Sequence, residues 1–302
     1  MPKIVIIGNS AAGFSCTDTL AKLSAGNEIT VVSKDKFLPY RRDNLLEYIA
    51  GKIPEHSLYI VPKDYYSVEK ITYKAGVEVA RVDAKKQRVV LKDNTKIDYD
   101  FLIIASGLEP ELPELPGTSK DGVVAYSGLE EAKAIIEKLL VVNLACCVGK
   151  AESCFKLAKV LLDKGKEVKA IISGTCVEPM QHERLEVISD AQPVEIIGEG
   201  PELKALKLSN GKVIGTSMII FASQNFPSSD FLKETDIVRT KNGFIVVDES
   251  MKTNIDNIFA CGAVAVNLNS GNQEKDWIDA SREGWIIGTN LIGMIEEAPK
   301  LK

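Results

Sequence analysis

The first residues suited to chemistry form a glycine-rich turn, Gly8–Gly13, which follows a short β-branched run. Gly8 permits a tight turn after a strand, Ser10 is small enough for a pyrophosphate to approach the backbone, and Gly13 allows a helix to pack closely on the strand. The N-terminus of that helix would supply N–H donors to phosphate oxygens. Because the turn lies between a predicted strand and a predicted helix, it indicates nucleotide binding; a purely structural glycine turn is the alternative.

The elements that position this turn occur twice along the chain. The strands of the two copies are predicted at 3–7, 28–32, 141–148 and 168–172. The first helix between them is predicted to end near Gly26, and the second is predicted at 155–162. Both copies have the order and length of a βαβ dinucleotide-binding unit. The predicted fold class is therefore α/β, with two doubly wound, Rossmann-like modules and the second inserted in the first.

A proline-rich stretch at 109–117 is typical of an extended connection, since proline fixes φ and disfavours helix before it. The first module is therefore predicted at 1–115 and 229–302, and the second at 116–228. A final amphipathic helix, 277–295, is predicted to pack on the first module. Further strands are predicted at 77–82, 87–91, 99–105 and 243–248.

Composition excludes several classes of protein. The chain has 302 residues, of which 45% are hydrophobic, and a net charge of -5. Disorder and nucleic-acid binding are therefore disfavoured. The longest apolar runs have strand length, which excludes a membrane span, and no signal peptide precedes the first strand. The 6 cysteines form no Cys-x-x-Cys pair, so we expect a reducing, cytoplasmic setting and no metal site.

Four segments occur in an order and at spacings known from one protein family: Gly8–Gly13, Leu38–Arg42, Tyr99–Pro110 and Thr253–Gly262. Together they resemble the FAD-dependent pyridine nucleotide–disulfide oxidoreductase family. The branch most similar contains NADH:rubredoxin and ferredoxin reductases, NADH oxidases and the flavin module of nitrite reductase. The resemblance covers nearly the whole chain. Members usually continue into a C-terminal domain, for which this sequence has no counterpart.

The resemblance implies that the first module binds FAD and the second NAD(P)H. It places the glycine turn at the FAD pyrophosphate, Arg42 and Trp277 near the flavin, and Val79 near the adenine. Arg42 as a surface charge and Trp277 as a core anchor remain alternatives. The residues assigned to the cofactor are Gly8, Ser10, Ala11, Ala12, Gly13, Ser33, Lys34, Arg42, Val79, Ala105, Ser106, Gly107, Gly262, Ala263 and Trp277.

Two departures from the family pattern concern FAD. Ser33 and Lys34 stand where an acidic residue would bind the ribose hydroxyls. Ala263 follows Gly262 where the family has an aspartate that holds the ribityl chain. Both losses are expected to weaken FAD binding, although most of the pocket is retained.

The second glycine turn departs further, because Gly149–Cys154 keeps only the first of three glycines. Cys154 adds bulk between helix and strand, and Glu152 puts a negative charge near the expected pyrophosphate. The positions of a ribose-binding residue, a conserved glutamate of the family and the nicotinamide glycine hold Ser173, Lys156 and Gln224. NAD(P)H is therefore expected to bind weakly, unless backbone contacts and a shifted pose compensate.

The leading function is an FAD-dependent oxidoreductase that passes electrons between NAD(P)H and a small redox protein or other acceptor. The alternatives are an FAD-containing electron-transfer or assembly subunit that no longer binds NAD(P)H, and a nucleotide-bound structural or sensory protein. No residue is assigned a catalytic role, because the chemistry of a flavoenzyme resides in its cofactor.

Overall fold

The computed structural model describes residues 1–23, 26–110, 112–174, 180–222, 225–269 and 275–297. The chain divides into two compact units. The first comprises Met1–Arg41, Tyr59–Glu109 and Phe226–Lys302, and the second comprises Arg42–Leu58 and Pro110–Asn225. Within the described ranges, no helix is both long enough and apolar enough to cross a membrane.

The strands, in chain order, are β1 (Lys3–Ile7), β2 (Glu28–Ser33), β3 (Thr72–Ala75), β4 (Val79–Asp83), β5 (Arg88–Leu91), β6 (Lys96–Asp98), β7 (Phe101–Ile104), β8 (Leu108–Pro110), β9 (Val123–Ala125), β10 (Leu144–Gly149), β11 (Glu167–Ile172), β12 (Leu185–Ser189), β13 (Pro193–Glu199), β14 (Glu202–Leu208), β15 (Val213–Gly215), β16 (Ile219–Phe221), β17 (Asn225–Pro227), β18 (Ile245–Val246), β19 (Ile258–Ala260) and β20 (Ala265–Val266). The α-helices are α1 (Ala11–Leu23), α2 (Leu45–Ala50), α3 (Tyr65–Val68), α4 (Leu129–Leu139), α5 (Ala151–Asp163) and α6 (Trp277–Glu297).

The core of the first unit is a five-stranded sheet in the order β19-β7-β1-β2-β3. All of its pairings are parallel, and Ile6 of β1 lies between Val31 of β2 and Ile103 of β7. These central strands are continuous runs of β-branched and leucine residues because both of their faces are buried. Parallel pairing brings the carboxyl ends of β1, β2, β7 and β19 to one edge, where ligands bind in open α/β sheets.

The helices α1 and α6 of the first unit pack closely through two glycines. A Cβ atom on Gly284 would lie 2.0 Å from the carbonyl oxygen of Ala12, and one on Gly288 would lie 2.7 Å from the Cβ of Thr19. The two glycines are four residues apart and therefore share one face of α6. Ile287 and Leu291 of the same helix are buried in the core.

The second unit repeats the arrangement with a parallel sheet in the order β12-β11-β10-β16-β9. Its central strand β10 is buried along Ala145–Val148, and α5 packs on β10 and β11. A separate antiparallel sheet is formed by β13, β14 and β15. The predicted fold class, α/β with two Rossmann-like modules, is confirmed.

Some predicted bounds are wrong in detail. Strand β10 begins at Leu144 and not at Val141, because α4 extends to Leu139 and the next residues form the turn that follows it. Leu140 and Val141 are accordingly 82% and 79% exposed. Helix α5 begins at residue 151 and not at 155, immediately after an extended residue, Lys150.

Candidate functional site

The carboxyl edge of the first sheet brings together three of the segments predicted to bind FAD. The Gly8 N–H donates to the Val32 carbonyl at 2.8 Å, which fixes the glycine turn at the end of β2. The Ala105 N–H donates to the carbonyl of Ile7 at 2.7 Å, and the Cys261 N–H to that of Ile104 at 3.0 Å. The segments that follow β1, β7 and β19 are therefore neighbours.

Two glycines of the turn are required by backbone packing. Gly8 has a φ of +105°, and a Cβ atom there would lie 2.1 Å from the carbonyl oxygen of Ala105. A Cβ atom on Gly13 would lie 2.0 Å from the carbonyl oxygen of Gly8. The turn, the start of α1 and the end of β7 thus approach one another at distances that exclude side chains.

The head of α1 has the features of an anion site. Ser10 precedes the helix, and its carbonyl accepts the Phe14 N–H at 2.8 Å. Ala11 and Ala12 follow with small, buried side chains, and the first turn contains no acidic residue. The N–H groups of a helix's first turn have no acceptor within the helix. Together with the positive end of the helix dipole, they fit a phosphate.

A buried polar atom lies in the same turn. Asn9 is only 8% exposed, and its Oδ1 accepts the hydroxyl of Tyr66 at 2.7 Å. Its amide nitrogen Nδ2 has no hydrogen-bond partner within the described part of the chain. An unpaired buried donor is costly, so an acceptor from a bound ligand would be stabilising there.

Aromatic side chains surround Asn9. The rings of Tyr66 and Tyr73 are stacked at 4.2 Å between centroids, and Tyr65 contacts Tyr66 edge-on at 5.2 Å. The Tyr73 hydroxyl donates to the carbonyl of Phe37 at 2.8 Å. Burial raises the pKa of both Tyr66 and Tyr73, so their hydroxyls remain protonated donors near neutral pH. Sequence reasoning missed this cluster, whose one signal was the Tyr65-Tyr66 pair.

At the end of β2, Ser33 is buried and Lys34 is exposed. The Lys34 ammonium lies 3.1 Å from a carboxylate oxygen of Glu109 and 3.8 Å from one of Glu78. A hydrogen bond from Lys92 lowers the pKa of Glu78. No acidic residue stands at the end of β2, but Glu78 and Glu109, from two other segments, bring carboxylates to the Lys34 side chain.

The segment after β7 is fixed to a neighbouring loop. The Ser106 hydroxyl donates to the carbonyl of Ser228 at 2.6 Å, and the Ser228 N–H donates to the carbonyl of Gly107 at 3.0 Å. Gly107 has a φ of +71°, and no described atom lies within 4 Å of where its Cβ would be. Its outer side is therefore open.

The turn after β19 holds a feature that sequence reasoning missed. Gly262 has a φ of +72°, and a Cβ atom there would lie 2.9 Å from the Cβ of Ala12. Its N–H donates to the carboxylate of Glu283 at 2.7 Å, and the Lys275 ammonium also lies 2.7 Å from that carboxylate. Ala263, the next residue, has a methyl group where the resemblance implies a carboxylate.

Three other residues predicted to bind the cofactor have described contacts with other segments. Trp277 begins α6, and the guanidinium carbon of Arg41 lies 5.2 Å from its ring centroid. Val79 begins β4 and pairs with Leu91 of β5. Arg42 belongs to the second unit, where its Nη1 donates to the carbonyl of Ser127 at 3.3 Å. The cofactor roles of Trp277, Val79 and Arg42 stay predictions.

The turn of the second unit keeps the length of the first but not its later glycines. Gly149 and Cys154 are five residues apart, as Gly8 and Gly13 are. Cys154, at the position that corresponds to Gly13, is fully buried, and burial raises its thiol pKa to about 12. Since a Cβ atom at Gly13 would collide with the turn, a cysteine at its counterpart requires different packing.

Glu152 is expected to repel a bound pyrophosphate less than the sequence suggested. Its side chain is 73% exposed and pairs with Lys156 at 2.6 Å, and this hydrogen bond lowers its pKa. The Ser173 N–H donates to the carbonyl of Gly149 at 2.9 Å, whereas in the first unit the counterpart of Gly149 is the donor, with the Gly8 N–H bonded to the Val32 carbonyl. The predicted departure at Gln224 lies outside the described residues.

Comparison with known proteins places these features in a family. The family model for pyridine nucleotide-disulphide oxidoreductases matches residues 2–284. The NADH-rubredoxin oxidoreductase of Clostridium acetobutylicum is 30% identical over 297 residues, which cover 96% of this chain and 75% of that protein. Human apoptosis-inducing factor 3 is 25% identical over 97% of this chain, and the match spans 51% of its length, so this chain covers about half of that relative.

Solved structures agree with the sequence matches. The crystal structure of the Clostridium acetobutylicum enzyme has a TM-score of 0.79 at 26% identity, with 97% of this chain and 75% of that chain covered. A water-forming NADH oxidase from Lactobacillus brevis has a TM-score of 0.87 at 20% identity, with 97% and 70% covered, and supports the fold. The resemblance found in the sequence is confirmed: the chain belongs to the pyridine nucleotide-disulphide oxidoreductase family.

Proposed function

We propose that the protein is an FAD-dependent oxidoreductase that passes electrons between NAD(P)H and a small redox protein or another acceptor. The observation that carries the proposal is the head of α1, where small residues and first-turn N–H groups lie at the carboxyl edge of a parallel sheet, next to Asn9, whose Nδ2 has no partner among the described residues. Bound FAD would supply the hydride- and electron-transfer chemistry.

The chain's own residues would bind and orient the cofactor. The N–H groups at Ala11 and Ala12 face the phosphate position, and Gly8 and Gly13 keep the turn free of side chains. The open side of Gly107 gives a ligand access to the end of β7. Such a site holds a dinucleotide by backbone donors, which suits a cofactor that stays bound through turnover.

The names of relatives support the class of electron partner. The similar protein from Clostridium acetobutylicum is an NADH-rubredoxin oxidoreductase. A Pseudomonas putida relative, 23% identical over 99% of this chain and 76% of its own length, is the ferredoxin–NAD(+) reductase subunit of a benzene dioxygenase system. A small iron–sulfur or rubredoxin-like protein is therefore the partner class that we propose.

A second candidate is favoured by the turn of the second unit. With Cys154 filling the place of the third glycine, α5 has to pack on its turn differently from α1, which disfavours a bound pyrophosphate there. The second candidate is an FAD-containing electron-transfer or assembly subunit that receives electrons from a partner protein rather than from NAD(P)H.

Anaerobic titration with NADH and NADPH, followed by flavin absorbance, distinguishes the two. Bleaching by either nucleotide at micromolar concentration supports the reductase. Reduction by dithionite but by neither nucleotide supports the subunit. If the chain neither contains nor takes up a flavin, both candidates are wrong and a nucleotide-bound structural protein becomes the better description.

A further inference from the structure

A partly buried ion pair clamps the turn that follows β19. The Lys275 ammonium donates to the carbonyls of Gly262 at 3.1 Å and Ala265 at 2.7 Å, and it contacts the Glu283 carboxylate at 2.7 Å. Glu283 in turn accepts the N–H of Gly262 at 2.7 Å. Both side chains are only 16% exposed, so the pair is largely removed from water.

All hydrogen-bond donors of Lys275 are used, whereas the Glu283 carboxylate could accept more hydrogen bonds than its described contacts supply. An ammonium has three donors, and those of Lys275 meet three acceptor groups. A carboxylate can accept about four hydrogen bonds, and the described contacts of Glu283 come only from Lys275 and the Gly262 N–H. Every donor of Lys275 is therefore in use, which fixes the position of its charge at this turn.

The pair lies beside the proposed phosphate site. Gly262 is held between α1 and α6, because its Cβ position is 2.9 Å from the Ala12 Cβ and 4.0 Å from the Ala280 Cβ. Ala12 belongs to the first turn of α1, whose N–H groups are the proposed phosphate donors. The ammonium of Lys275, bonded to the Gly262 carbonyl, therefore lies on the turn that packs against the first turn of α1.

We propose that Lys275, held in place by Glu283, is a binding element for the diphosphate of FAD, and that its charge compensates for the aspartate absent at Ala263. Glu283 fixes the turn and the ammonium, while Lys275 offsets both the carboxylate and the negative diphosphate. The inference rests on the proposed function, since it concerns the same cofactor.

The two charges predict effects of opposite sign. Loss of Lys275 leaves the largely buried carboxylate of Glu283 without its ion-pair partner and close to the diphosphate. Both the unpaired charge and its repulsion of the diphosphate are unfavourable. Replacement of Glu283 by glutamine keeps an oxygen for the Gly262 N–H and leaves a positive charge near the diphosphate. A purely structural clamp would instead lose stability and affinity together in both variants.

The test measures FAD dissociation constants by flavin fluorescence on the chain freed of ligand, together with its thermal unfolding. We expect Lys275→Met to weaken FAD binding about tenfold or more, and Glu283→Gln to leave it equal or tighter. Lys275→Arg, which keeps the charge, should recover much of the loss. Lys233→Met, which breaks the exposed Lys233–Asp230 pair in the same unit, is the control and should change neither quantity.

Parallel losses of affinity and thermal stability in Lys275→Met and Glu283→Gln would overturn the inference, as would unchanged affinity in both. Should Lys275→Met fail to fold, the comparison of Glu283→Gln with wild type decides: weaker binding by the glutamine variant contradicts the inference. If the wild-type chain does not bind FAD, the proposed function itself is wrong. If the wild type and the variants bind FAD equally, only the inference about Lys275 and Glu283 is wrong.

Discussion

The carbonyl oxygen of Ala12 lies 2.0 Å from the point that a Cβ atom on Gly284 would occupy. The helix that carries the proposed phosphate site is therefore held against α6 by direct backbone contact. Because this contact sets the position of the head of α1, small changes at Gly284 are expected to act on the site as well as on stability.

The first prediction concerns this contact. Gly284→Ala should lower the free energy of unfolding by about 1–3 kcal/mol, since the added methyl group forces the helices apart. Gly293→Ala in the same helix is the matched control, because no described atom lies within 4 Å of its Cβ position. It should raise stability by up to about 1 kcal/mol through helix propensity. Urea unfolding measures both, and equal effects would contradict the packing described.

The second prediction restores the carboxylate that the family pattern implies. Ala263→Asp should tighten FAD binding, because a hydrogen bond to a charged group is worth about 1.5–3 kcal/mol, or about tenfold to a hundredfold in affinity. Ala263→Asn, which lacks the charge, should give a smaller gain. Flavin fluorescence titration provides the constants. Loss of the flavin in the aspartate variant would mean that the turn has a different orientation in this chain.

The third prediction concerns the second glycine turn. Cys154→Gly should tighten NAD(P)H binding, about tenfold at most, by letting α5 approach its turn as α1 does. The substitution should also cost about 1 kcal/mol of stability, the usual penalty of glycine within a helix. Cys146→Ala, a buried thiol of β10 away from the turn, is the control. Unchanged nucleotide affinity in Cys154→Gly would show that the helix position does not limit binding.

The fourth prediction is a pH dependence. Burial raises the pKa of Cys146 to about 11 and that of Cys154 to about 12, from an ordinary value of 9.0. Between the ordinary pKa and the raised pKa values, the thiols are ionised in the unfolded chain but still protonated in the native chain. Their contribution to the free energy of unfolding is therefore present below pH 9 and is lost progressively above it. The variant Cys146→Ala/Cys154→Ala should therefore lose less unfolding free energy than wild type between about pH 8 and 10.5. Equal losses in the two proteins would contradict the burial of these thiols.

The sequence predicted the strand–turn–helix geometry of the first turn because that geometry depends on local residue types. Gly8 and Gly13 have the spacing typical of such a unit, and the structure places them against backbone oxygens. The close contact at Gly284 and Gly288 also had a sequence signal, the four-residue spacing of two glycines in a predicted helix. That signal went unused because glycine usually lowers confidence in a helix.

The remaining features depend on tertiary contacts between distant segments. Nothing local in the sequence links Glu283 on α6 to the Gly262 N–H or to Lys275, because the pairing requires both the turn after β19 and the helix to be in place. The Asn9–Tyr66 contact likewise joins residues 57 positions apart. The start of β10 was placed too early because Leu140 and Val141 are apolar yet exposed.

The central claim is that the first unit binds FAD, and the most direct test is identification of the ligand released from the purified chain. Denaturation followed by chromatography should give about one FAD per chain and no FMN, because a turn at a helix N-terminus is suited to a pyrophosphate. Gly8→Val should carry none, since its side chain would displace the turn from Ala105. A wild-type chain that is colourless and remains so after incubation with FAD would contradict the account.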